Sequence, residues 1–361
     1  MELVPSPLVQ RWEAVKEFSS RRRENGGGFE TRPHRILKSQ TLQSMQRYIA
    51  LRLLYSLLIL MLVTVLVFVM VRIIPGDPIR AAMQQNVDLT DNKIVEEVRA
   101  RYGLDRPIHV QFAIWLRDFL KGDWGKSLQT GEPVLNMFWR RLPITLELFI
   151  GATLWAWIIG FPLGLLGALK RNSLLDASLT SVAIAGVSIP SFWEGIILIY
   201  LFAVIFRIFP PSGFVPLLED PWMNIKSVIM PTFVMGTHSA GLLARYVRSS
   251  LLEVLRQDYV RTARAKGVPE RVVIRTHTAR PAMIPVVTVI GLAWSYFVAG
   301  SFLVEYVFAI PGLGRMGVDA IFARDFPVIQ AILMAVAVNV LLMNLIVDIL
   351  YGYLDPRVRV H

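Results

Sequence analysis

Five stretches of this chain, residues 53–71, 148–169, 227–244, 281–304 and 326–347, contain no Asp, Glu, Lys or Arg. Each is long enough for a helix to cross hydrocarbon roughly 30 Å thick, which takes about 20 apolar residues. A sixth crossing fits residues 192–206, inside a longer stretch, 177–206, whose one charge is Glu194. The residues before Pro190 form its approach segment. Composition agrees with a membrane protein: 54% of residues are hydrophobic, and 18% are charged against the usual quarter. The mean hydropathy is +0.50. The expected fold class is therefore an all-α polytopic membrane protein with six transmembrane helices and both termini on one side. Having no cysteine, the chain offers no thiolate nucleophile, disulfide framework or Cys-based metal site.

Orientation follows from the short loops. Residues 245–280 hold nine Lys/Arg against three acids, Glu253, Asp258 and Glu270. Lys170-Arg171, Arg357, Arg359 and the basic N-terminus fall on that same side. The opposite loops carry only Arg207, Lys226, Arg315 and Arg324. The long, near-neutral segment 73–141 is exempt from the rule by its length. Both termini and the 245–281 loop are expected in the cytoplasm. The net charge of +11 is explained by this asymmetry, with no need for a nucleic-acid partner.

Four regions follow in chain order. Residues 1–44 are polar, lack the apolar core of a signal peptide, and read as a disordered extension or a mis-assigned start before Met45. Residues 45–72 are the first span. Residues 73–141 form a small external subdomain, with a helix at 91–102 and another at 107–120 carrying Phe112, Trp115, Leu116 and Phe119 at helical spacing. Residues 142–361 form a five-helix core. Within the external subdomain, Gly125-Lys126-Ser127 ends like a phosphate-binding loop. The glycine such a loop needs five positions earlier is Leu120, and no strand precedes it. No other nucleotide-binding fingerprint is present, so energy must come from a partner.

The most informative segment is 258–291, basic, helix-competent and broken at Gly267-Val268-Pro269. A helix, a glycine stop with proline beyond, and a second helix make a hairpin. Set between two spans, it would protrude into the cytosol as a docking surface. Val247, Leu251, Val254, Leu255 and Tyr259 form an apolar stripe at helical spacing, leaving Arg248, Arg256, Arg261, Arg264 and Lys266 to face water, headgroups or partner acids. Gly267 is the residue type that adopts a positive φ at least cost.

Several motifs occur together and in order: Ile74-Pro75-Gly76-Asp77-Pro78, the Gly125-Lys126-Ser127-Leu128 segment, Ser188-Ile189-Pro190-Ser191-Phe192-Trp193, the 259–267 loop, Ile310-Pro311-Gly312-Leu313-Gly314-Arg315 with the 323–327 segment, and the closing 348–359 segment. In this the chain resembles permease subunits of ABC-type importers in the dipeptide/oligopeptide/nickel family, of the type with a large external loop after the first span. The resemblance runs from Met45 to Arg359. It implies the type I importer fold and a chain that forms the translocation pathway for peptide-like solutes, without being an enzyme. It implies a second homologous permease, two cytosolic ATPases that use ATP and Mg, an extracytoplasmic solute-binding protein, and an inner-membrane location among lipids. This chain itself would bind no cofactor or metal. The ATPase-coupling residues it implies are Asp258, Tyr259, Arg261, Thr262, Ala263, Arg264, Ala265, Lys266, Gly267 and Val268. One departure is clear: the general permease signature has Glu-Ala-Ala where this chain has Arg261-Thr262-Ala263.

For the pathway, ionisable and polar residues inside spans are the candidates. They are Trp193 and Glu194 at the start of span three, and Asn339 and Asn344 in span six. The competing expectation for Glu194 is an acid at the cytosolic headgroups, and for Asn344 with Asp348, an i,i+4 pair, hydrogen bonding between helices. His238 is expected to pack locally, and Gly160, Gly164 and Gly167 to allow close helix packing. Nickel chelates and sugars are alternative solutes in the resembled family. A stand-alone secondary transporter would need paired intramembrane charges and inverted repeats; a membrane enzyme would need a motif such as HExxH or a nucleophile elbow. The sequence shows none of these.

Overall fold

The computed structural model describes residues 33–73, 106–295 and 297–354. The chain divides into two units, Met1–Ile49 with Arg359–His361, and Ala50–Val358; apart from residues 33–49 of the first helix, the features below belong to the second. The expected 91–102 helix and the 74–78 motif lie outside the described residues, as do residues 1–32 of the N-terminal segment.

Helix α1 runs Pro33–Ile73, so helical backbone begins upstream of Met45. Then come α2, Ile108–Leu120, and α3, Val134–Leu169, which passes through a π-helical stretch at Ala156–Gly160. Next are α4, Leu174–Ser188, and α5, Ser191–Ile205, whose second half is π-helical. Helix α6 is Pro221–Leu255 and α7 is Asp258–Ala265. A turn at Glu270–Val272 and a π-helical stretch at Val273–Thr278 lead into α8, Ala279–Ser295. The last three are α9, Phe297–Val307, α10, Leu313–Ala323, and α11, Phe326–Leu354.

Four helices among the described residues are long and apolar enough to cross a membrane, and the number is up to six when the bent pairs α4–α5 and α8–α9 each count as one span. The bends follow from sequence. Pro190 cannot donate a backbone hydrogen bond and pushes Ile189 out of helical geometry, and α4 and α5 meet there at 99°. Arg52 of α1 and Asp348 of α11 form an ion pair at 2.8 Å. That contact puts the start of the first span and the end of the last on one side, as an even number of crossings requires.

Helix α6 is the centre of the core. It buries Met230, Val234, Leu243, Val247 and Leu251 against α3, α4 and α8. Close approach depends on Gly160 of α3, where an added Cβ would stand 2.5 Å from the Ala240 carbonyl oxygen; Gly164 meets Ala244 and Val247 in the same way, one turn on. Helix α1 is peripheral. Between residues 50 and 70 most of its side chains are exposed, and it is held by buried Phe68.

Phe68 begins an aromatic chain. It packs on Phe112 and Trp115, Trp115 on Phe119, Phe119 stacks on Trp124 at 4.9 Å, and Trp124 meets Phe138 of α3. The aromatics of α2 therefore tie the first span to the core through Trp124.

The 125–128 segment has a structural role. The Ser127 hydroxyl donates to the Asp325 carboxylate, the Leu128 N–H donates to it at 3.1 Å, and Gln129 Nε2 reaches the Ala323 carbonyl at 3.0 Å. Its donors are spent on a carboxylate of the same chain, which fits the rejection of a phosphate loop. Nearby, Glu305 is fully buried. Thr145 Oγ1 donates to it at 2.8 Å and the Arg315 N–H at 2.9 Å, while the Leu313 N–H donates to Thr145 at 2.8 Å. A carboxylate on α9 thus satisfies the open N-terminus of α10, and α3, α9 and α10 are pinned together.

Candidate coupling surface and pathway residues

The basic loop folds as a hairpin. Helix α7 turns Val260 and Ala263, three residues apart, onto Val273, with Val254 and Val268 alongside. The helix ends in a Schellman arrangement: the Gly267 N–H bonds the Arg264 carbonyl at 2.9 Å and the Val268 N–H bonds the Ala263 carbonyl at 3.2 Å. Gly267 has φ +75° and open space around it. Arg264 then reaches across the turn to Glu270 in a bidentate pair, Nε to Oε2 at 3.1 Å and Nη2 to Oε1 at 2.7 Å. The guanidinium holds the Glu270 carboxyl below its usual range, and the carboxylate raises Arg264 in turn.

Of the coupling residues named from sequence, Asp258, Tyr259, Arg261, Thr262, Arg264, Ala265, Lys266 and Gly267 are exposed. Ala263 is buried and Val268 half-buried, so these two build the hairpin rather than its outer surface. The apolar stripe divides as well. Val247 and Leu251 belong to the core under α6, whereas Tyr259 is 47% exposed. Arg248 does not face water or headgroups as expected: its Nε and Nη2 bind both oxygens of Asp176 at 2.7 and 2.8 Å. Asp176 is 4% exposed and also accepts the Asn172 N–H. Sequence reasoning missed this pair because its members are 72 positions apart; the only local sign was Ser173 before an acid three residues later, a helix N-cap.

The pathway candidates separate into two groups. Asn339 Nδ2 donates to the carbonyls of Trp294 and Ser295 at 3.2 and 2.9 Å, and Ser295 Oγ meets Asn344 Oδ1 at 3.3 Å. These bonds tie α11 to the Trp294–Ser295 turn of α8, with Asn339 donating and Asn344 accepting, which favours the inter-helix expectation. Asp348, placed with Asn344 on one face, pairs with Arg52 instead. Trp193 is 51% exposed and Glu194 half-buried in the first turn of α5. The whole of α4, Leu174–Ser188, lies between Glu194 and the Lys170-Arg171 turn. His238, expected to pack, is exposed.

Comparison with known proteins fits this architecture. A family described as binding-protein-dependent transport system inner membrane component matches residues 160–360, and the N-terminal component of the same kind matches residues 45–149. An oligopeptide transport system permease of Bacillus subtilis (strain 168) is 41% identical over 318 residues, 87% of this chain and all of that protein. A di/tripeptide transport system permease of Pseudomonas aeruginosa (strain UCBPP-PA14) is 41% identical over 82% of this chain and 94% of its own length. A glutathione transport system permease of Salmonella choleraesuis (strain SC-B67) is 39% identical over 87% and 99%. Among solved structures, an inward-facing form of the MetNI methionine ABC transporter superposes with a TM-score of 0.51 at 19% identity, covering 60% of this chain and 95% of that one. That likeness shows the type I permease fold alone. On these matches the chain belongs to the binding-protein-dependent transport system inner-membrane family, as a permease subunit of an ABC-type importer.

Proposed function

We propose that this chain forms one half of the translocation pathway of an importer that moves peptide-like solutes, di- or oligopeptides, inward. The observation that carries the reading is the exposed α7 surface. Tyr259, Arg261, Thr262, Ala265 and Lys266 stand out from a hairpin that is internally braced by the Arg264–Glu270 pair and its own small apolar core. A stiff protrusion can transmit a rigid-body motion; a floppy one cannot. A cytosolic ATPase takes this surface in a cleft, hydrolyses ATP with Mg, and moves the spans through α6, which runs unbroken from the outer loop to the hairpin. A second permease completes the pore, and an extracytoplasmic binding protein delivers the solute. The cytoplasmic placement of the hairpin and both termini rests on the Lys/Arg asymmetry. Peptide-like solutes follow from the names of the relatives; nickel chelates or sugars are the alternative within the resembled family.

Because the chain has no cysteine, Lys266→Cys gives a single thiol on this surface. The expected outcome in membranes containing the whole transporter is a disulfide or short cross-link to an ATPase carrying an engineered cysteine, together with ATP-dependent uptake of a labelled dipeptide. A thiol at Lys266 that reacts only with reagent added outside the cell would refute the orientation, and an absence of any ATPase cross-link from Tyr259→Cys, Arg261→Cys and Lys266→Cys would refute the docking.

A further inference from the structure

Span three does not cross the membrane directly. Helix α4 rises through 15 residues, about 22 Å of helix at 1.5 Å per residue, before the chain breaks and turns through 99° into α5. Glu194 lies in the first turn beyond the break. Its polar neighbour is Thr237 of α6, whose hydroxyl also bonds the Phe233 carbonyl at 2.9 Å. Thr237 stands near the middle of the apolar stretch bracketed by Lys226 and Arg245. The carboxylate is therefore at mid-depth in the membrane. No cation pairs with it among the described residues.

The surroundings are open on one side. Phe192, Trp193 and Tyr200 are exposed, and at the same depth α6, elsewhere the most enclosed helix, leaves His238 uncovered. A charge at this depth is costly in lipid and is kept where it faces a water-filled cavity or a partner. A broken span at mid-depth is also where transporter backbones give up regularity to line a solute site.

We propose that Glu194 faces the aqueous translocation pathway and receives a cationic group of the passing solute, the free ammonium of a peptide-like molecule. The carboxylate supplies the charge that the ammonium meets inside the span. The assignment rests on the reading of the chain as a pathway for peptide-like solutes.

The test uses the assembled transporter in proteoliposomes. Trp193→Cys, and separately Phe192→Cys, places a thiol beside the carboxylate, and modification is read on this chain's own peptide by mass. Each thiol is titrated with a cationic and an anionic methanethiosulfonate of similar size, without nucleotide and after vanadate trapping with ATP. The expected result is modification in at least one state, with a cation-to-anion rate ratio that falls at least five-fold when Glu194→Gln is added. No modification at either position in either state, or a ratio unchanged by Glu194→Gln, overturns the proposal. Uptake supplies the second arm: Glu194→Gln should slow import of a free-amine dipeptide at least ten-fold, with Glu194→Asp retaining most of it, in complexes assembled to equal amounts. Equal uptake by Glu194→Gln and wild type overturns the ammonium role. A wild-type transporter that passes the thiol test and imports no peptide overturns the substrate reading and the ammonium with it, while the aqueous exposure of Glu194 stands.

Discussion

Replacing Gly267 isolates the conformational demand of the coupling hairpin from its packing. The residue sits at φ +75° with no atom within 4 Å of where a Cβ would lie, so Gly267→Ala creates no clash. The cost is the backbone term alone, about 1–2 kcal/mol for an L-residue held in left-handed geometry, and less for Asn, which tolerates it. Two hydrogen bonds end α7 through this residue, at 2.9 and 3.2 Å, and both open if the turn relaxes. At roughly 1.4 kcal/mol per decade, Gly267→Ala should raise the opening of the hairpin about five- to thirty-fold. Hydrogen exchange of the Val268 amide in the assembled transporter measures this directly, with the order glycine slowest, then Asn, then Ala. Gly267→Asp adds a negative charge beside Arg264 and Lys266, and is expected to insert normally yet lose ATP-dependent uptake. Equal exchange in the glycine, Asn and Ala forms would show that the positive φ is not what holds the turn, and wild-type uptake by Gly267→Asp would remove the docking role.

Three other outcomes follow from the geometry. Arg248→Ala leaves the Asp176 carboxylate buried without its partner, which should destabilise the chain by about 3–5 kcal/mol; Asp176→Asn combined with Arg248→Gln should recover part of that in a thermal-melt assay in detergent. Asp325→Ala strips the acceptor from Ser127 and Leu128, at about 1–3 kcal/mol for each donor left unsatisfied, and should expose the 125–131 segment to protease while the spans stay intact. The hairpin should hold from neutral pH down to the ordinary carboxylate range. Because Glu270 titrates lower when folded than unfolded, its pairing with Arg264 is complete above the unfolded pKa and is lost as pH falls through the folded one. Both partners are exposed enough that the loss is small; it should be visible as a lower Val268 protection factor, with the intrinsic pH dependence of exchange divided out, below that range, and absent in Glu270→Gln.

Membrane character, the candidate spans and the glycine turn were all legible in the chain. Each rests on a local property: charge-free length, or the conformational freedom of one residue type. The 125–128 segment shows the limit of such reading. Its resemblance to a phosphate loop could be dismissed from spacing, but its attachment to Asp325, 198 positions away, could not be found there. The same holds for Arg248, which reads as one more loop cation until Asp176 is seen against it.

What the sequence by itself determined is which segments enter lipid and which carry the turn, because water and hydrocarbon sort side chains by composition alone. Only the tertiary structure decided which partners the polar groups meet. Glu194 reads as an acid at the start of a span until the whole of α4 is placed before it and Thr237 beside it; Asn339 and Asn344 read as pore polar groups until their hydrogen bonds to Trp294 and Ser295 of α8 are seen. A buried polar group must find a partner. Which partner it finds depends on how the spans bend and pack, and no local pattern carries that information.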